Sequence, residues 1–368
     1  AVSAQASRDS WAAYIEFSVP LLTTLELSLA LRYDDYSDFG NTTNPKVALR
    51  WSPIDSLAFR TSWGTGFRAP SLAQIGLGPS QESQFFIDTF GCADGVEGAC
   101  SALDYNILFS GNPDLKAEES ESFNAGVAWK PVDGLELTLD YWNIKQEKKI
   151  DERPFGLVYA ANCATQISDV CVRSPPAAGH TLGTLQSIKN TFENIGEQNA
   201  KGIDLGAYYG FDVGPGKLAL GLSYSYLLDF DRVELNGAGT FVTRALAGEY
   251  EYPEDRAALT ADWSTDIWGA YAQVNYIGKF EDTPDADFDG ILDYDTVTTR
   301  EVGTFTTINL QARYTGIEHV KLMLGLDNAL DKDPPFAAGD GDADLYGYAQ
   351  NVHNPRGRFW SAKAVFSF

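Results

Sequence analysis

The chain has 368 residues, of which 44% are hydrophobic and 13% aromatic, and its formal net charge is −24. This acidity argues against a nucleic-acid partner, because the phosphate backbone would repel the protein. No apolar run approaches the roughly 18 residues that a spanning helix needs, so the sequence excludes a helical membrane protein. A membrane β-barrel stays compatible with the composition, since half of each strand faces a polar lumen.

Segments with a period of two recur along the chain and alternate apolar with polar side chains. Examples are residues 25–34, 135–141, 217–226 and 320–327. Successive side chains of a strand point to opposite faces, so each segment would have one apolar face and one hydrated face. The final segment has the same pattern, with one apolar row formed by Trp360, Ala362, Ala364, Phe366 and Phe368. The sequence therefore predicts an all-β fold, a transmembrane antiparallel meander β-barrel.

The alternation predicts about thirteen strands along the chain. They cover residues 10–19, 23–35, 43–52, 56–66, 119–130, 135–150, 196–211, 217–229, 256–264, 267–280, 303–314, 319–329 and 356–368. Short connections such as Ser52–Asp55 alternate with long ones, including 35–44, 67–118 and 151–188. Short periplasmic turns and long extracellular loops are typical of membrane barrels. Single-chain bacterial barrels usually close with an even number of strands, so thirteen strands predict part of a barrel.

The four cysteines form two close pairs in the long connections. Cys92 lies near Cys100, and Cys163 lies near Cys171, in stretches that contain Gly, Ala and Asp. Neither pair has C-x-x-C spacing, so loop disulfides are favoured over a zinc site. Disulfides indicate an oxidising compartment such as the periplasm or the cell surface.

An acidic stretch in one long connection has the D-x-D-x-D-G spacing of a calcium loop. Its candidate ligands are Asp285, Asp287, Asp289 and Asp293. Carboxylates at alternate positions can converge on a hard cation, but Thr296 stands where the usual bidentate Glu would be. Asp340, Asp342 and Asp344 repeat the spacing more weakly. The alternative is a plain acidic surface loop, and no other cofactor is indicated.

Catalytic signals are lacking in the sequence. The three histidines are far apart, and there is no G-x-S-x-G nucleophile motif, so we expect no enzymatic activity. The segment Gly64–Ala69 formally matches a dinucleotide fingerprint, but Pro70 and a predicted loop follow it instead of a helix.

Five segments resemble, in order, motifs of the TonB-dependent outer-membrane transporters. They are Gly66–Leu72, Asn112–Ser120, Asn194–Leu205, Asp327–Pro335 and Arg356–Phe368. Ala329 and Leu330 depart from the family pattern in the fourth segment. That family's barrel has about twenty-two strands around a plugged lumen. The resemblance implies that residues 1–368 form the C-terminal portion of such a barrel, without a recognisable plug domain or TonB box.

The resemblance also implies a location, a function and partners. The location is the outer membrane of a Gram-negative bacterium, where the chain would contact lipid and lipopolysaccharide. The function is active uptake of a scarce nutrient such as a siderophore, cobalamin or an oligosaccharide. The partners are a plug domain, the N-terminal barrel strands and, through the plug, the TonB–ExbB–ExbD complex. The open alternatives are a passive diffusion channel and a surface adhesin or phage receptor.

Candidate ligand contacts lie in the long connections and at their bases. Aromatic rings can stack on sugars or siderophore rings, although rings near loop bases also suit a membrane-interface girdle. Arg68 is also interpreted as an ion-pair partner of Glu118. The predicted ligand-binding residues are Arg68, Tyr105, Tyr159, Tyr252, Tyr294 and Tyr348.

Overall fold

The computed structural model describes residues 5–235, 240–282, 300–337 and 347–367. Thirteen long strands form one antiparallel wall in which each strand pairs with the next one along the chain. The wall strands are β1 (Ser10–Leu22), β2 (Leu25–Tyr36), β3 (Gly40–Ile54), β4 (Leu57–Arg68), β7 (Glu118–Trp129), β8 (Leu135–Glu152), β10 (Leu185–Val213), β11 (Gly216–Leu235), β13 (Asp255–Ser264), β14 (Trp268–Ile277), β17 (Phe305–Ile317), β18 (Val320–Asp327) and β19 (Phe359–Phe366).

The strand register separates the side chains of the wall into two faces. One cross-strand row on β8, β10, β11, β13 and β14 consists of Leu137, Ala207, Leu222, Leu259 and Val274. The adjacent row on the opposite face of the same strands consists of Thr138, Gly206, Ser223, Ala258 and Asn275. We call these the apolar face and the polar face. The predicted alternation is therefore confirmed across the wall, because side chains in register share a face.

The long connections contain further elements that the sequence reading treated as loops. Residues 151–188 and 67–118 contribute a small second sheet. In it the first part of β10 pairs with β6 (Leu103–Ser110) and β9 (Cys171–Arg173), and β6 pairs with β5 (Ser80–Phe86). The additional elements are α1 (Leu72–Gly76), β5 (Ser80–Phe86), α2 (Thr89–Ala93), β6 (Leu103–Ser110), α3 (Phe155–Asn162), β9 (Cys171–Arg173), β12 (Phe241–Ala245), β15 (Phe280–Asp282) and β16 (Arg300–Val302).

All thirteen predicted wall strands are present, but several of their bounds differ. Strand β10 begins at Leu185 instead of residue 196, because its upper part pairs within the second sheet rather than the wall. Residues 35–44 were predicted to be a long connection, whereas β2 and β3 continue to Tyr36 and from Gly40, which leaves a short turn. The stretch after Pro70 also differs, since the short helix α1 begins at Leu72 with Ser71 as its N-cap. Phe368 lies outside the described residues.

The two ends of the wall carry strands with a single neighbour. Within the described ranges, β1 pairs only with β2, and β19 pairs only with β18. Every residue of β1 is exposed. No helix in the described part of the chain is long and apolar enough to cross a membrane.

A charged side chain at one position of an apolar row tests this assignment of faces. Leu222 lies in the middle of the apolar residues of β11, and Ser223 is its neighbour on the polar face. We expect Leu222→Arg to destabilise insertion into phospholipid vesicles by about 2–4 kcal/mol, as a charge facing acyl chains does. The matched variant Ser223→Arg should insert almost normally. Folding titrations in vesicles measure both, and equal losses would contradict the assignment.

Candidate functional site in the long loops

The long connections 67–118 and 151–188 fold together into one loop layer. Its core is formed by apolar side chains from β5, β6, α3, β9 and the start of β10. The buried members are Tyr105, Ile107, Val158, Tyr159, Cys163, Cys171, Leu185 and Ile188. A loop that buries apolar side chains also removes backbone groups from water, and the second sheet satisfies those groups. The loop layer is therefore an ordered structure that can present a fixed surface.

A buried ion pair joins the two connections inside this layer. Arg173 donates two hydrogen bonds to Asp88, with N–O distances of 2.7 and 2.8 Å, and both side chains are at most 1% exposed. The Tyr159 hydroxyl donates to Asp88 at 2.7 Å. Arg173 also donates to the carbonyls of Gly183 and Cys163. Nearly every polar group of the pair is thereby satisfied, as burial of charges requires.

Opposing effects set the pKa values in this network. Burial raises the pKa of Asp88, but the hydrogen bonds from Arg173, Tyr159 and Gly91 outweigh it and leave the pKa below its usual value. Burial raises the pKa of the Tyr159 phenol. Asp88 is thus a carboxylate and Tyr159 a neutral donor at neutral pH. Sequence reasoning missed Asp88 and Arg173, whose only signal was that each lies a few residues from a cysteine.

Both predicted disulfides are confirmed. Cys92 bonds to Cys100, and Cys163 bonds to Cys171, each across a sequence separation of 8 residues. The second bridge lies inside the core of the loop layer, where its cysteines are at most 1% exposed. The first lies beside a smaller cluster of Val96, Ala99 and Leu182. In the described part of the chain, no three His, Cys, Asp or Glu side chains are placed to hold a metal ion.

The predicted ligand contacts have different environments. Tyr105 and Tyr159 are 5% and 7% exposed in the core of the loop layer, so a ligand could reach them only if that core opened. Tyr252 accepts a hydrogen bond of 3.0 Å from Arg232 and its ring packs against Phe230. Tyr348 is half-buried in the connection that precedes β19. Their ligand-binding role stays a prediction.

Arg68 pairs with Glu118, as the sequence interpretation expected. Its Nε donates to Glu118 Oε2 at 2.5 Å where β4 meets β7, and Glu118 is 1% exposed. The same carboxylate accepts hydrogen bonds from Gln146 and from the backbone N–H of Ile150. This arrangement ties the base of connection 67–118 to β8, and it uses the charge of Arg68 within the protein.

Several predicted site residues lie outside the described residues. They are Tyr294, the calcium candidates Asp285, Asp287, Asp289 and Asp293, and the weaker triplet Asp340, Asp342 and Asp344. The calcium interpretation therefore stays a prediction.

A second cluster lies where the connections after β11, β14 and β18 meet. Its buried members are Tyr250, Phe280, Val302, Ala337 and Ala349. His353 is 3% exposed in contact with this cluster, and its ring lies 5.8 Å from that of Phe280 and 5.2 Å from that of Phe305. Neither imidazole nitrogen has a hydrogen-bond partner among the described residues. Burial, and then the charge of Arg256, lowers the pKa of His353 to about 4.

The polar face of the wall holds ion pairs that cross an intervening strand. Arg60 on β4 reaches over Gly126 on β7 to Asp140 on β8, with N–O distances of 2.8 and 2.5 Å. A Cβ at Gly126 would lie 1.9 Å from Asp140 Oδ1, so glycine is needed for the crossing. Arg313 similarly reaches over Gly269 to Asp262. These two arginines are therefore paired with carboxylates of the same face.

Comparison with known sequences identifies related proteins. A sequence model described as "TonB dependent receptor-like, beta-barrel" matches residues 1–329. A vitamin B12 transporter of Vibrio vulnificus is 21% identical over 98% of this chain and 43% of its own length. A vitamin B12 transporter of Vibrio cholerae is 27% identical over 31% of this chain and 20% of its own length.

Solved structures share the fold. A ferric enterobactin receptor mutant of Pseudomonas aeruginosa, in complex with enterobactin, has a TM-score of 0.68 at 19% identity, with 98% of this chain and 46% of the receptor covered. A siderophore receptor of Acinetobacter baumannii has a TM-score of 0.68 at 16% identity, with the same coverage of 98% and 46%. This chain therefore spans less than half the length of the relatives it matches.

Removing one partner of the buried ion pair tests the loop layer. We expect Arg173→Met to destabilise the layer by about 3–5 kcal/mol, because it leaves the Asp88 carboxylate buried and unpaired. The double variant Asp88→Asn/Arg173→Met should recover part of the loss. Limited proteolysis of connections 67–118 and 151–188 measures the effect. Equal cleavage of the single variant and the wild type would show that the pair contributes nothing.

Acidification tests the burial of His353. Its pKa is lower in the folded cluster than in an opened one, so its stabilising contribution is complete above pH 6.5 and falls as the pH drops toward 4. The full loss is about 3 kcal/mol. The hydrogen-exchange protection factors of residues 349–353, which are corrected for the intrinsic pH dependence of amide exchange, should therefore fall between pH 7 and pH 5. His353→Phe should remove this fall, and its persistence in that variant would assign it to another group.

Proposed function

The chain belongs to the TonB-dependent receptor β-barrel family, and on that premise we propose that it forms wall and extracellular loops of an outer-membrane transporter for a scarce nutrient. The observation that carries this proposal is the two-faced wall, whose apolar rows suit acyl chains and whose polar rows suit a hydrated lumen. Above the wall, the folded loop layer supplies an ordered surface for recognition.

The proposal includes the partners that such a transporter needs. A plug domain and the remaining barrel strands would complete the structure, since this chain covers 46% of a related receptor. The plug would connect the barrel to TonB–ExbB–ExbD, which supplies energy from the inner-membrane proton gradient. The surrounding partners would be the lipid and lipopolysaccharide of a Gram-negative outer membrane. Transport of this kind breaks no covalent bond, so the chain would not be an enzyme.

The nutrient belongs to the size class of siderophores, cobalamin and oligosaccharides. Relatives named as a vitamin B12 transporter and a ferric enterobactin receptor support the first two classes. The wall and the loop layer carry paired charges at Arg60–Asp140, Arg68–Glu118 and Asp88–Arg173, so these residues brace the structure and the ligand would bind to other groups. Calcium at the acidic stretch 285–293 would be an accessory to the loops.

Energy dependence separates active transport from a passive channel. We expect cells that express the full protein to accumulate radiolabelled cobalamin or a ferric siderophore, and a protonophore should abolish this accumulation. Uptake of a small solute through a porin serves as the control, and the protonophore should leave this passive uptake unaffected. Accumulation that continues after collapse of the gradient would favour the passive channel. Retained phage attachment without uptake of any nutrient would favour a receptor role.

A further inference from the structure

One edge of the second sheet is open. Strand β5 pairs with β6 at seven consecutive positions, from Ser80 opposite Phe109 to Phe86 opposite Leu103, and with no other strand in the described ranges. The sheet ends on its other side at β9, which has only three residues. A strand with a single neighbour leaves backbone N–H and C=O groups along its free side without a strand partner. The free side of β5 is therefore a template for a further strand.

Strand β5 lacks most of the devices that protect edge strands from pairing. Its sequence contains no proline and no lysine, and its register with β6 has no bulge. Glu82 is its one charged side chain, and five of its seven residues are exposed. Natural proteins usually shorten, charge or cover such an edge, so an open edge of this length indicates a binding function.

The core of the loop layer holds this edge in a fixed position. The centroid of the Phe86 ring lies 4.5 Å from that of Tyr105 and 4.6 Å from that of Phe155. At the other end of the strand, Phe109 lies opposite Ser80 and is 2% exposed. Because both ends of β5 lie against packed side chains, an added strand would not have to order its template first, which lowers the entropic cost of binding.

The side chains of β5 alternate between the two faces of the second sheet. Phe85 lies opposite Asp104 on the face away from the core, and it is 69% exposed. Glu82 lies on the other face, opposite Ile107. Side chains that face each other on adjacent strands interact, so an added strand would place one row of side chains beside Phe85 and the other beside Glu82.

The charge around this edge is negative. Burial and then the negative charge of Glu82 raise the pKa of Glu152, at the loop end of β8. Lys149 and Arg153, the cations nearest to Glu152 in the chain, already form ion pairs with other carboxylates. Asp104 adds a carboxylate on the opposite face of the sheet. A segment with lysine or arginine would relieve the repulsion between Glu82 and Glu152, whereas an acidic segment would increase it.

We propose that β5 binds an extended cationic peptide by strand addition, as a further strand of the second sheet. Backbone hydrogen bonds to the open edge would select an extended chain, and lysine or arginine at alternate positions would face Glu82 and Glu152. A second copy of this chain is disfavoured as the occupant, because its net charge of −24 would be repelled by the same edge. The site goes beyond nutrient uptake, although it rests on the proposed position of the loop layer at the cell surface.

Peptide binding to the intact protein tests the proposal. Full-length protein in nanodiscs is titrated into a fluorescent peptide of the same length as β5 that alternates lysine with valine, and fluorescence anisotropy measures the dissociation constant. We expect wild-type protein to bind this peptide. The same peptide methylated at every backbone nitrogen cannot donate to the edge and should bind about tenfold less tightly. A peptide with glutamate in place of lysine should not bind.

Substitutions in the protein test the selection for positive charge. The variant Glu82→Gln/Glu152→Gln should bind the lysine peptide about fivefold less tightly, because two ion pairs of partly exposed groups are lost. The matched variant Glu97→Gln/Asp169→Asn removes the same charge from exposed residues of the loop layer outside β5 and β8, and it should bind normally. The methylated peptide is tested on wild-type protein, so its result does not depend on the folding of any variant.

The outcomes separate this inference from the proposed function. Equal binding of the parent and methylated peptides would overturn strand addition, and equal binding by the two variants would overturn the selection for cations. A dimer of the full-length protein that the peptide does not dissociate would assign the edge to a second copy and overturn the peptide as its occupant. Energy-dependent nutrient uptake is measured separately in cells. Uptake without peptide binding would overturn this site alone, whereas peptide binding without uptake would overturn the proposed transporter alone.

Discussion

The structure depends on the need of every backbone N–H and C=O group in a strand to find a partner on the adjacent strand. In hydrocarbon no water can replace a missing backbone hydrogen bond. Only helices, which bond within themselves, and strands that pair with neighbours on both sides can therefore cross a membrane. The pairing from β1 to β19 without interruption meets this need for each internal strand. Irregular backbone is consequently placed at the strand ends, where water and the second sheet of the loop layer satisfy it.

Charged side chains on the wall and in the loops are also paired, but the pairs differ in how deeply they are buried. Arg60 is 54% exposed, so its pairing with Asp140 contributes at most about 1 kcal/mol. Asp88 and Arg173 are almost completely buried, and each depends on the other to avoid an uncompensated charge. The glycines under the two crossing ion pairs let a guanidinium lie flat against the wall. These two pairs therefore neutralise their charges close to the backbone of the wall.

The wall could be predicted from the sequence because a period of two is a local property of each strand. Alternation in residues 217–226 and 320–327 was sufficient to locate β11 and β18. The start of β10 could not be predicted in this way, because residues 185–191 pair with β6 and β9, which are distant in sequence. His353 gave no sequence signal either, since its burial depends on Phe280 and Phe305 from other segments of the chain. Ligand contacts were the least predictable part, because the same tyrosine can stack on a ligand or fill a core.

The two kinds of link in the loop layer differ in the distance along the chain that they span. Each disulfide joins cysteines 8 residues apart, so it closes a small ring at low entropic cost. The pair of Asp88 and Arg173 spans 85 residues and forms only when connections 67–118 and 151–188 come together. Each bridge can thus be oxidised within its own connection, independently of the other. The desolvated ion pair discriminates correct from incorrect docking, since wrongly docked connections would leave one charge buried and unpaired.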